Sequence, residues 1–112
     1  MSLLNVHHFN PNSMKLQTQT VHVDASQQLI DFIERKADKL DTYYDRIIDG
    51  EIYLKQENGD ATESKIVEMK INIPGNQLFA KEKADSFEAA ADMTVEALRR
   101  QLKKYKEKLS AR

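Results

Sequence analysis

The chain contains no cysteine and no tryptophan, and only two prolines and three glycines in 112 residues. Without cysteine there is no disulfide, no thiolate metal site and no thiol nucleophile. So little proline and glycine argues against an all-β fold built on tight turns, and against low-complexity disorder. No apolar run approaches the ~20 residues that cross a bilayer, and no charged-then-apolar leader opens the chain. No membrane association is therefore expected, and the cytoplasm is the expected location. The signatures of catalysis are missing as well: no Ser/His/Asp set, no phosphate-cradling glycine loop, no paired-histidine helix. His22 stands alone in a strand and reads as structural. The carboxylates sit on polar faces, where nothing buries them enough to tune them for acid–base work. His7 and His8 lack the third ligand that a zinc site needs. No enzyme activity, metal, cofactor or small-molecule substrate is expected.

What is present fits one domain. The mass is 12.9 kDa, with 40% apolar and 31% charged residues, enough chain for one core without staples. Residues 1–13 carry no charged side chain, hold Asn5, Asn10, Pro11 and Asn12, and stop before a second methionine, Met14. They read as a flexible leader, with a single domain over 14–112.

Lys15–Val23 is rich in Thr and Val and roughly alternates, which predicts a first strand. Asp24 or Ser26 is placed to cap a helix. Leu29, Ile33, Ala37, Leu40 and Tyr44 step by four, four, three and four, one face of a helix running to about Tyr44. Arg46–Glu57 predicts a second strand, with Ile48, Gly50, Ile52 and Leu54 on one face. Asn58-Gly59 is a hairpin signal. Lys65–Ile73 alternates cleanly and Pro74-Gly75 makes the next turn. Gln77–Lys83 predicts a short, polar edge strand. Asp85 or Ser86 caps a last helix, whose apolar stripe is Phe87, Ala91, Thr94, Leu98, Leu102, Tyr105 and Leu109. This stripe is needed to cover the sheet, so Tyr105 and the leucines read as core. The helix should span the sheet and its last turns overhang. The order is β-α-β-β-β-α, an α+β two-layer sandwich: a four-stranded sheet with two helices on one face.

Net charge is near zero, −1, yet it is unevenly laid out. From Arg99 onward stand Arg99, Arg100, Lys103, Lys104, Lys106, Lys108 and Arg112 against Glu107 alone. Residues 1–98 hold 10 basic against 17 acidic side chains. Helix-dipole complementation accounts for cations in the last turn only, because the effect fades beyond it. A solvated face usually mixes signs through i,i+4 pairs, as Glu96 can with Arg100. Most of the later cations have no such partner in the sequence. Like charges crowded on every exposed side of one helix end call for an external polyanion, and a phosphate backbone meets that need.

Two segments carry a resemblance. Lys36-Ala-Asp-Lys39-Leu40, followed by Tyr43-Tyr44-Asp45-Arg46-Ile47, resembles the helix-to-strand segment of the ribosome hibernation-promoting factors, also called the ribosome-associated inhibitor or sigma-54 modulation family. Arg100-Gln101-Leu102 with Lys104, Lys106 and Lys108 resembles that family's last helix. The likeness runs from about Met14 to Leu109. It implies a double-stranded-RNA-binding-domain-like fold. It implies binding to the small ribosomal subunit and its rRNA, in the channel of mRNA and of A- and P-site tRNA, which blocks translation and preserves idle ribosomes under stress or in stationary phase. The family's basic contacts carry over to Lys36, Lys39, Arg100, Lys104, Lys106 and Lys108. Arg99 and Lys103 join them from the helical wheel. Arg46 matches the motif, with Asp45 or a helix C-terminus as alternative structural partners. The chain stops a few residues past the last helix, which fits a short-form member; the stretch before Met14 has no counterpart in the family. The alternative function is a protein–protein module that docks its basic helix on an acidic partner such as a transcription factor.

Overall fold

A computed structural model describes residues 15–57 and 64–110. The leader, with His7 and His8, and the Asn58-Gly59 turn lie outside the described residues. The elements are β1 (Lys15–Val21), α1 (Gln27–Asp38), a 3-10 turn (Lys39–Thr42), β2 (Asp49–Gln56), β3 (Lys65–Ile73), β4 (Asn76–Ala84) and α2 (Phe87–Ser110). The sheet order is β1-β2-β3-β4, with β1 parallel to β2 and the other neighbours antiparallel. The expected α+β sandwich is the observed one.

Period-two alternation assigns the two faces of the sheet. Ile52 and Leu54 of β2, Val67, Met69, Ile71 and Ile73 of β3, and Leu78, Ala80 and Ala84 of β4 turn to the helices and are buried. They meet Ile33 and Ala37 of α1, Leu40, and Phe87, Ala90, Ala91, Leu98 and Leu102 of α2 in one core. Gly50 lets two strands' side chains close over β2. A Cβ there would lie 2.9 Å from Ile71 Cδ1 and 3.0 Å from Leu16 Cδ2. Thr18 Oγ1 donates to Glu34 Oε2 at 2.5 Å, tying edge strand β1 to α1.

Serine caps both helices. Ser26 Oγ accepts from the Leu29 amide and Ser86 Oγ from the Ala89 amide, each at 3.1 Å, which resolves both choices of cap in favour of serine.

Three boundaries and the burial of one residue differ from the sequence expectation, and β4, expected to be short over Gln77–Lys83, runs Asn76–Ala84 and is as long as β3 because it pairs with it along its whole length. β1 stops at Val21 because His22 takes a φ of 56°, which breaks the pleat. α1 stops at Asp38, and Leu40 reaches the core from the tighter 3-10 turn instead. β2 starts at Asp49, after a turn, so Ile47 is buried and Ile48 is 56% exposed. Leu109, placed in the core stripe by its spacing, is 42% exposed. The reason is length: 24 residues of helix reach about 36 Å, whereas a nine-residue strand spans about 30 Å. The final turns of α2 run past the sheet.

Candidate nucleic-acid interface

The β-α-β crossover makes α1 and α2 run in the same direction. Lys36 of α1 meets Asp92 of α2 at 2.6 Å. Further along α2, Lys106 Nζ donates to the carbonyl of Tyr43, the residue that ends the 3-10 turn, at 2.7 Å, and the Arg99 guanidinium lies 5.7 Å from the Tyr43 ring centre. Both helices therefore point their C-termini, the negative ends of their dipoles, the same way, with the last turn of α1 beside Asp92 and Tyr43 carrying the chain on to Lys106 of α2. Six of the nine expected basic residues, Arg99, Arg100, Lys103, Lys104, Lys106 and Lys108, lie on the later turns of α2.

Arg99, Lys103 and Lys106 line an open groove of about 480 Å³ against Tyr43, closed off by Glu107 and Ser110. Arg100, Lys104 and Lys108 lie on the other flank of α2 and are exposed. Lys39 opens the 3-10 turn and Arg46 sits in the turn before β2, both exposed. Lys39, Arg46, Lys103, Lys104, Lys106 and Lys108 pair with no carboxylate among the described residues. The other three expected contacts are engaged internally. Lys36 is held by Asp92, with its ammonium 5.7 Å from the Phe32 ring centre. Arg99 Nε donates to Glu96 Oε2 at 3.0 Å and its terminal nitrogen pairs with the same oxygen. Arg100 stands 3.6 Å from Glu96. The nearer guanidinium is thus Arg99, not the Arg100 that i,i+4 spacing suggested.

The opposite face of the sheet is also rich in lysine, but three of those lysines pair with carboxylates. Glu68, only 9% exposed, sits between Lys55 at 2.8 Å and Lys81 at 3.8 Å. Lys83 pairs with Glu57 at 3.2 Å, and Lys70 lies 5.6 Å from the Tyr53 ring centre. Lys55, Lys81 and Lys83 are thereby compensated, whereas Lys103, Lys104, Lys106 and Lys108 of α2 have no carboxylate partner among the described residues.

Electrostatic shifts follow this layout. The Arg99 hydrogen bond, assisted by Arg100, holds the Glu96 carboxyl below the usual range, and Glu96 in turn raises Arg99. Burial, with Asp38 and Asp45 nearby, pushes Asp41 up. Burial against Tyr105 raises the Tyr44 phenol; the two rings meet edge to face at 5.7 Å. Tyr105 is half-buried and its hydroxyl donates to the Pro74 carbonyl at 3.4 Å, so it anchors α2 over the β3–β4 turn as the core stripe implies. Among the described residues no three His, Asp or Glu side chains gather as a metal site. No helix there is long and apolar enough to cross a membrane.

Sequence reasoning missed Tyr43 as a groove wall and Asp92 as the counter-ion of Lys36. The only local signal for Tyr43 was its place beside the apolar stripe; the contacts of both span more than 50 residues of chain.

Comparison with known proteins places residues 16–110 in the family described as Sigma 54 modulation protein / S30EA ribosomal protein. A ribosome hibernation promoting factor of Pseudomonas putida is 32% identical over 95 residues, covering 85% of this chain and 89% of that one. Its counterpart in Escherichia coli is 30% identical over 96 residues, covering 86% and 97%. A solved ribosomal subunit interface protein from Coxiella burnetii superposes with a TM-score of 0.73 at 26% identity, over 84% of this chain and 99% of that one.

Proposed function

The chain belongs to the Sigma 54 modulation protein / S30EA ribosomal protein family, and on that premise we propose that it is a cytoplasmic hibernation factor that docks the cationic last turns of α2 on small-subunit rRNA. The family acts by binding ribosomes and not by catalysis. The docking site is the channel of mRNA and of A- and P-site tRNA, and occupying it keeps idle ribosomes inactive under stress.

One observation carries the reading: Lys103, Lys104, Lys106 and Lys108 surround one overhanging helix end with no carboxylate partner among the described residues. Four ammonium groups so close repel one another, and a phosphate backbone relieves that repulsion while releasing its counter-ions. Recognition by phosphate position and helix shape needs no base-reading side chains.

Co-sedimentation with vacant ribosomes at rising salt tests this. The protein is expected in the ribosome fraction at low salt and to leave it as salt rises. Protein remaining at the top of the gradient at low salt overturns the proposal. Docking of the basic helix on an acidic protein gains no support from these relatives; such a complex would survive nuclease treatment, whereas the rRNA complex would not.

A further inference from the structure

Three of the cations expected to face RNA are held by two carboxylates of α2. Asp92, Glu96, Arg99 and Lys103 recur by four, three and four residues, so they form one stripe along the helix. The sign of that stripe reverses between Glu96 and Arg99. Asp92 takes Lys36 across the helix pair, and Glu96 takes both Arg99 and Arg100. The Arg99 hydrogen bond and the Arg100 charge hold the Glu96 carboxyl below its usual range. Asp92 and Glu96 are themselves half-exposed, at 54% and 48% of their side-chain surface, so they are in place to repel an approaching phosphate.

We propose that Glu96, with Asp92, sets the inner end of the RNA track along α2: the two carboxylates act as built-in counter-ions that withhold Arg99, Arg100 and Lys36 from phosphates and leave only the last turns of that helix to bind. The proposal rests on the RNA-docking reading above and names the residues that determine its specificity. A generic duplex offers phosphates everywhere. A protein with all these cations free would coat any RNA. With Glu96 and Asp92 in place, the free cations of α2 are those of its overhanging tip, and a partner must deliver phosphates to that end of the helix.

The test is titration of the full chain with a short RNA duplex across a range of KCl concentrations, for wild type, Glu96→Gln, Asp92→Asn and Glu88→Gln. Glu88 lies in the first turn of the same helix and pairs with no cation among the described residues, so Glu88→Gln changes overall charge equally without releasing a partner. The plot of log affinity against log salt should steepen by about 1.4–1.8 for Glu96→Gln, which frees two cations, and by about 0.7–0.9 for Asp92→Asn. Glu88→Gln should keep the wild-type slope. Equal slopes for Glu96→Gln and Glu88→Gln, or no duplex binding by any variant, overturn the proposal. Circular dichroism checks each fold, and Asp92→Asn carries the test independently of Glu96→Gln. Steeper duplex slopes beside a wild type that never sediments with ribosomes would overturn the ribosome reading and leave this one standing.

Discussion

Lys106 Nζ donates to the Tyr43 carbonyl at 2.7 Å, joining residues 63 positions apart and locking the overhanging end of α2 to the end of the other helical segment. The same ammonium lines the groove, so one side chain serves both fold and surface. Lys106→Met should lower stability by about 0.5 kcal/mol, since an exposed charged hydrogen bond contributes little net. It should also flatten the salt dependence of ribosome binding by about 0.7–0.9. Chemical denaturation and sedimentation at several salt concentrations read the two effects separately; a stability loss with an unchanged slope would remove Lys106 from the interface.

Lys103 and Lys104 are exposed and pair with no carboxylate among the described residues, so they make no ion pair that stabilises the domain. Replacing both by alanine should leave the denaturation midpoint within about 0.5 kcal/mol of wild type, as surface substitutions usually do. Ribosome affinity should fall and the salt slope flatten by about 1.4–1.8.

Gly50 separates packing from charge. A Cβ there lies 2.9 Å from Ile71 Cδ1 and 3.2 Å from the Lys70 carbonyl oxygen, too close without movement. Gly50→Ala should destabilise the domain by about 1–3 kcal/mol through overpacking. Thermal melting checks this, and the salt slope of the folded fraction should be unchanged.

Asp41 offers a pH signature. Burial and the neighbouring Asp38 and Asp45 raise its folded pKa above the unfolded value, so the ionised carboxylate opposes folding. That penalty is fully present above the raised folded value. It is lost as pH falls toward the ordinary carboxylate range. Asp41→Asn should therefore stabilise at neutral pH, with the gain fading on acidification. Glu96 works the other way: its lowered pKa marks a stabilising contribution, present above the ordinary carboxylate value and lost as pH falls through the folded one. Urea midpoints of wild type, Asp41→Asn and Glu96→Gln at neutral and acid pH give the signs directly.

Local pattern is legible in this chain wherever one physical cause acts within a few residues. The clean alternation of Lys65–Ile73, the spacing of Phe87, Ala91, Thr94, Leu98 and Leu102, and the short side-chain oxygens of Ser26 and Ser86 each report a backbone period or an orphaned amide close by. The same holds for the charge asymmetry that begins at Arg99. Boundaries were less legible. Ile48 and Leu109 keep the right period, yet both face solvent, because a turn and the end of the sheet intervene where periodicity carries no information.

By itself the sequence determined the order of elements, the face each one buries and the cationic last turns of α2, all properties of neighbours in the chain. Tertiary structure alone decided what those charges can do. Setting β1 parallel to β2 makes the helices run side by side in one direction, which brings Tyr43 to Arg99 and Lys106, and Lys36 to Asp92. Coulomb attraction and hydrogen bonding act over a few ångströms whatever the separation along the chain. Which cations are free and which are already held is therefore decided only once the helices are packed.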